Sequence, residues 1–102
     1  MRMPPEACAT MAEVRAGVDS LDRELVALLA ERFRFMDAAA RIKPERAMVR
    51  DEPRKRQVIE NAILQAEAQG LNPALAGELW EWLVEASIAH ELARWDERAT
   101  DA

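Results

Sequence analysis

The sequence predicts a single all-α domain of three helices, and three observations carry that expectation. Half of the 102 residues are apolar while only 3 are Gly and 5 are Pro, and the abundance of Ala, Leu, Glu and Arg favours helix throughout. An apolar stripe, Val14, Val18, Leu21, Leu25, Leu28, Phe35, Ala39 and Ile42, advances in steps dominated by four and three, the spacing by which a long helix buries one face. Helix-stop and helix-start residues then divide the rest of the chain into two further segments. The domain is expected to span residues 1–102, with its core at about residues 10–95.

The first helix opens at Thr10 and Glu13, whose spacing is that of a capping box, and runs from about Met11 to Lys43 with Gly17 as its one weak point. Pro44 stops it. Asp51 is a candidate N-cap with Pro53 in the first turn of a second helix, whose apolar face is Val58, Ile59, Ala62, Ile63 and Ala66 and which Gly70 ends. Asn72 and Pro73 open a third, carrying Leu75, Leu79, Trp80, Leu83, Val84, Ile88 and Leu92 and expected to fray after Trp95 into a polar tail. The sequence has no internal repeat and no low-complexity segment.

Composition excludes several classes of function. No apolar run approaches the roughly 20 residues that cross a bilayer, and the N-terminal stretch MRMPPEACAT lacks the apolar centre of a signal peptide, so no membrane partner and a cytoplasmic location are expected. One cysteine, Cys8, and one histidine, His90, cannot build a zinc site or a disulfide within one chain, so no metal is expected. Cys8 reads as an ordinary thiol and His90 as a helix-surface residue. A net charge of −5 argues against nucleic acid. Residues 41–56 nevertheless hold seven of the 14 basic residues against three acids, a patch suited to a small anion.

Arg32 sharpens that reading, because it interrupts the stripe between Leu28 and Phe35. A guanidinium does not lose its proton, and burying it without an anion costs several kcal/mol, so the fold must supply a partner or leave space for one. The first helix is also too long for a compact monomer: 32 residues span roughly 48 Å, against a diameter of about 33 Å for a 100-residue domain. An intertwined homodimer would cover the stripe; the alternative is a monomer whose first helix breaks near Gly17. Arg15 and Lys43 stand about 42 Å apart on one helix. In an antiparallel dimer, however, Arg15 of one chain would come beside Arg32 and Lys43 of the other. On the third helix Ser87 and Glu91 lie one turn apart on the line of Trp80 and Val84, placing polar groups where apolar ones are expected.

These residues together resemble the all-helical chorismate mutases over roughly residues 10–95. The resemblance rests on Arg15, Val18, Asp19, Leu21, Asp22, Leu25, Leu28, Leu29, Glu31 and Arg32, with Lys43 eleven positions later. It continues in Val49-Arg50-Asp51 with Arg54, and in Ser87 with Glu91. It implies three helices per chain intertwined as a dimer and a site shared between chains for a small dianionic substrate. The implied reaction is the rearrangement of chorismate to prephenate in aromatic amino acid biosynthesis, which needs no cofactor. By the same resemblance Arg15, from the partner chain, and Arg32 clamp the two carboxylates, as bidentate arginines do well. Lys43 donates to the ether oxygen of the breaking bond, Arg54 stands in the site wall, and Asp51 and Ser87 contact the substrate.

Two positions depart from that pattern. Many members carry glutamine at Glu91, where it donates a hydrogen bond to the same ether oxygen; an ionised glutamate can only accept, so Glu91 would have to be neutral. Burial favours the neutral acid and the adjacent Lys43 the ionised one, which leaves both forms open. Lys55 falls where the mutases usually carry a glutamate that binds the ring hydroxyl. The stretch Pro5, Glu6, Cys8, Met11, Ala12, Val14, Arg15, Val18 and Asp19, together with Trp95, resembles the related isochorismate pyruvate lyases, which form salicylate and pyruvate and lack that glutamate. A third reading is a non-catalytic helical dimerisation module, with Arg32 bridging to Asp22, Glu31 or Asp37 and Trp80, Trp82 and Trp95 serving as core or interface.

Overall fold

The computed structural model describes residues 2–98 and the backbone of residues 99 and 100; the last two residues of the expected polar tail lie outside the described residues. It contains three helices, α1 (Met11–Ile42), α2 (Glu52–Gln69) and α3 (Pro73–Thr100), with single 3-10 turns at Pro5–Ala7 and Arg46–Met48. Among the described residues there is no strand.

Each helix terminus uses the chemistry its sequence offers. The Glu13 amide donates to Thr10 Oγ1 at 3.2 Å while the Thr10 amide donates to Glu13 Oε1 at 3.0 Å, a reciprocal capping box. The Ala9 amide bonds the same carboxylate, and together these donors hold Glu13 below the usual carboxylate range. Asp51 Oδ1 accepts the Arg54 amide at 3.0 Å and opens α2. Gly70, at φ 76°, closes it in the left-handed conformation that a residue with a Cβ resists, and the Leu71 amide returns to the Ala66 carbonyl at 2.9 Å. Asn72 Oδ1 then accepts the Ala74 amide at 2.9 Å to start α3.

Contacts divide the chain into two compact units, Met1–Arg34 and Phe35–Ala102. In the first, the segment before α1 is tied to the helix by an ion pair of 2.6 Å between Arg2 and Glu24. In the second, α2 and α3 pack together, and a core of Val49, Val84 and Ile88 is completed by Val58, Ile59, Trp80, Leu92 and Trp95. Val49 thereby anchors the segment between α1 and α2 to α3.

The single chain leaves most of the α1 stripe uncovered. Val14, Val18, Leu21, Leu25 and Leu28 are all exposed, as are Phe35 at 65% and Ile42 at 71%; Ala40 is the residue of α1 that is buried. Leu75 and Leu79, assigned above to the apolar face of the third helix, are also exposed, whereas Ala76 beside them is buried. The helix does not fray after Trp95. It continues because Asp96 pairs with Arg46 and Arg98 donates to backbone carbonyls of residues 40–43, so this turn is anchored rather than loose.

Candidate active site

Lys43 is the first residue past α1, and its amide still closes the last helical turn on the Ala39 carbonyl at 2.9 Å. Pro44 follows, lacks an amide hydrogen, and ends the helix there. The Lys43 ammonium reaches across to α3 and lies 2.7 Å from Glu91 Oε2. Glu91 is 4% exposed, whereas the lysine side chain keeps about a third of its surface. A carboxylate withdrawn that far from water needs a charged partner, and Lys43 is it. One turn earlier on α3, Ser87 is equally buried and its hydroxyl donates to the Leu83 carbonyl at 2.7 Å. The residues at which the sequence placed polar groups on an apolar face are therefore polar and buried.

The backbone of Lys43 is held as well as its side chain. Trp95 Nε1 donates to the Lys43 carbonyl at 3.2 Å, and Arg98 Nη1 donates to the carbonyls of Lys43 at 2.6 Å and Ala40 at 2.7 Å. The sequence offered Trp95 as a core or interface residue and as a point of resemblance, and gave Arg98 no role. The signal was present in the spacing: Glu91, Trp95 and Arg98 fall four and three apart, on one face of α3.

A second polar cluster joins the start of α2 to α3. Arg50 donates twice to Glu85, at 3.1 and 2.8 Å, and Lys55 meets Glu85 at 2.8 Å and Glu81 at 2.7 Å. These cations, Arg50 first, hold the Glu85 carboxyl down at about 2, and the carboxylates of Glu81 and Glu85 raise Lys55. Lys55 at its otherwise acidic position is thus engaged by α3. The four-residue spacing of Glu81 and Glu85 was the sequence signal for this cluster. Asp51 is occupied as the N-cap of α2, and Arg54, in the first turn, donates to Gln57 at 2.6 Å.

His90, read from the sequence as a helix-surface residue, is half-buried and engaged by α1. Its Nε2 lies 2.7 Å from Asp37 Oδ1, which Arg94 approaches at 3.2 Å, and the His90 contact leads the effects that keep Asp37 below its ordinary range. Asp37 thus meets two residues of α3. Arg15 and Arg32 belong to the first unit; Arg15 is exposed on α1 and Arg32 is half-buried. Lys43, Asp51, Arg54, Ser87 and Glu91 all belong to the second, where Lys43 meets Glu91 and the Asp51 carboxylate caps the Arg54 amide. Among the described residues no cluster of three or more His, Cys, Asp or Glu side chains could hold a metal ion, and no helix is long and apolar enough to cross a membrane.

Three helices, a basic turn at the end of the first and a lysine paired with a buried glutamate define an all-helical site built from side chains. Residues 14–92 match the family described as chorismate mutase type II. The chain is also similar to the isochorismate pyruvate lyase of Pseudomonas aeruginosa, at 26% identity over 91 residues that cover 89% of this chain and 90% of that protein. The chain belongs to the chorismate mutase type II family, and membership implies an enzyme that acts on a small molecule.

Proposed function

We propose that the protein is a chorismate mutase, a homodimer that rearranges chorismate to prephenate without a cofactor in aromatic amino acid biosynthesis. The observation that carries this reading is the Lys43 ammonium, fixed 2.7 Å from buried Glu91, which itself lies one helical turn from buried Ser87. An ammonium has three N–H donors, so Lys43 can keep Glu91 with one and offer another to a substrate oxygen.

In the reaction the ether C–O bond breaks while a C–C bond forms, and negative charge grows on the ether oxygen. Lys43 meets that charge, an interaction stronger in the transition state than in the ground state, and a single such donor contributes on the order of a hundredfold. Arg32, and Arg15 of the second copy, would bind the two carboxylates and hold the chair-like conformer, with Asp51, Arg54 and Ser87 completing the wall; such orientation lowers the barrier further. The exposed stripe from Val14 to Ile42 supports the second copy, since apolar surface of this extent is normally covered. On this reading the enzyme works in the cytoplasm.

A second reading is isochorismate pyruvate lyase. Lys55, bound by Glu81 and Glu85, stands in place of the acid that resemblance assigns to the ring hydroxyl, and the relative from Pseudomonas aeruginosa carries the lyase name. Turnover of purified protein on chorismate and isochorismate, with product identification, tests both. Prephenate from chorismate supports the mutase, and salicylate with pyruvate from isochorismate alone supports the lyase. Inertness toward both would leave a helical dimerisation module.

A further inference from the structure

Lys43 is gripped at both ends by one face of α3. Glu91 takes its ammonium, and Trp95 and Arg98, one and two turns further along, take its carbonyl oxygen. The Arg98 guanidinium also reaches the carbonyls of Ala40 at 2.7 Å and Arg41 at 3.3 Å, and lies 4.9 Å from the centre of the Trp95 ring. Beside them Asp96 holds Arg46, three residues past Lys43, through contacts of 2.8 and 3.2 Å.

The arrangement answers a specific need. A helix leaves its last four carbonyls without partners and concentrates negative partial charge there. Many helices settle this end with a glycine in the left-handed conformation, as Gly70 does for α2. Pro44 follows α1 instead, and it can donate no amide hydrogen. The guanidinium of Arg98 bridges several carbonyls at once, its charge suits that end of the dipole, and stacking on Trp95 limits its own freedom.

We propose that Trp95 and Arg98 are positioning residues for Lys43: by capping the carbonyl end of α1 from α3, they fix the direction in which the Lys43 ammonium is presented to substrate. They act through the Lys43 backbone, while Glu91 acts on its side chain. The inference rests on Lys43 being the donor of the proposed reaction.

Lys43 and Lys55 are the two lysines of the chain, so a proton–nitrogen spectrum of the ammonium groups contains one signal to follow and one internal reference. Trp95→Phe keeps the aromatic surface and removes the N–H; Arg98→Met keeps the length and removes the charge; Arg98→Lys keeps the charge and loses the fork. In Trp95→Phe and Arg98→Met the Lys43 signal is expected to shift or broaden while that of Lys55 stays. The turnover number kcat falls about tenfold, as small misplacements of a reacting group do, with KM changed less than twofold. Arg98→Lys recovers part of the loss. An unchanged Lys43 signal with unchanged kcat would overturn the proposal, as would equal disturbance of both lysine signals. If the unaltered protein turns over neither substrate, the functional reading fails, and the Lys43 signal alone still decides whether these residues position it.

Discussion

Arg50 grips Glu85 through two hydrogen bonds, of 3.1 and 2.8 Å, and so ties the residue just before the α2 N-cap to the middle of α3. Lys55 binds the same carboxylate through Oε2, which Arg50 also meets. The start of α2, with Asp51 and Arg54, is therefore located by charge as well as by the buried Val49.

This cluster gives the fold an acid limit. The Glu85 carboxyl, ordinarily near 4.5, titrates at about 2 in the folded chain, so its contribution is complete above pH 4.5 and disappears as pH falls from 4.5 to 2. Thermal melts across that window are expected to show the Tm advantage of the native protein over Glu85→Gln shrinking with acidity. An advantage that stays constant down to pH 2 would contradict the assignment.

The Lys43–Glu91 pair is open to substitution on either side. Glu91→Gln exchanges the carboxylate for an amide that can donate; turnover kept in that variant would show that a donor serves at this position, and turnover lost would show that the carboxylate is needed to hold Lys43. Lys43→Met should abolish turnover and, by leaving a buried carboxylate without its cation, cost about 2 kcal/mol of stability in denaturant titrations.

Sharing of sites between chains is open to a mixing experiment. Arg15→Ala and Arg32→Ala should each be nearly inactive while still forming dimers. Mixed, unfolded and refolded together, half the dimers are heterodimers, each with one site holding both arginines, so about a quarter of native activity returns. No recovery, with heterodimers confirmed by mass spectrometry, would place both arginines in one chain's site.

Asp51 separates structure from chemistry. Asp51→Ala removes the cap and should cost about 1 kcal/mol in chemical denaturation, whereas Asp51→Asn keeps a capping oxygen and most of the stability. A substrate contact made by the carboxylate predicts that both variants lose turnover. Full activity in Asp51→Asn would reduce the residue to its capping role.

The helices were legible because their ends are written locally: Thr10 with Glu13, Asp51, Gly70 and Asn72 act on backbone groups within a few residues. Ser87 and Glu91 were legible as polar residues on an apolar line. What sequence did not disclose were pairings between distant segments, such as Asp37 with His90 or Lys55 with Glu81, because a charge on a helix surface carries no mark of its partner. The extent of α3 was misjudged for the same reason. Residues 96 and 98 look like a polar tail until the carbonyls and the guanidinium they meet are known.

The groups that finish α1 lie 52 to 58 residues downstream of the carbonyls they serve. At roughly 5–20 residues per second, synthesis keeps those carbonyls waiting about 3–12 seconds after they are made. Until α3 emerges, the turn bearing Lys43 has neither the Glu91 carboxylate nor the Trp95 and Arg98 donors. In the growing chain the turn bearing Lys43 is therefore among the last parts to be held in place, because Glu91, Trp95 and Arg98 all belong to α3.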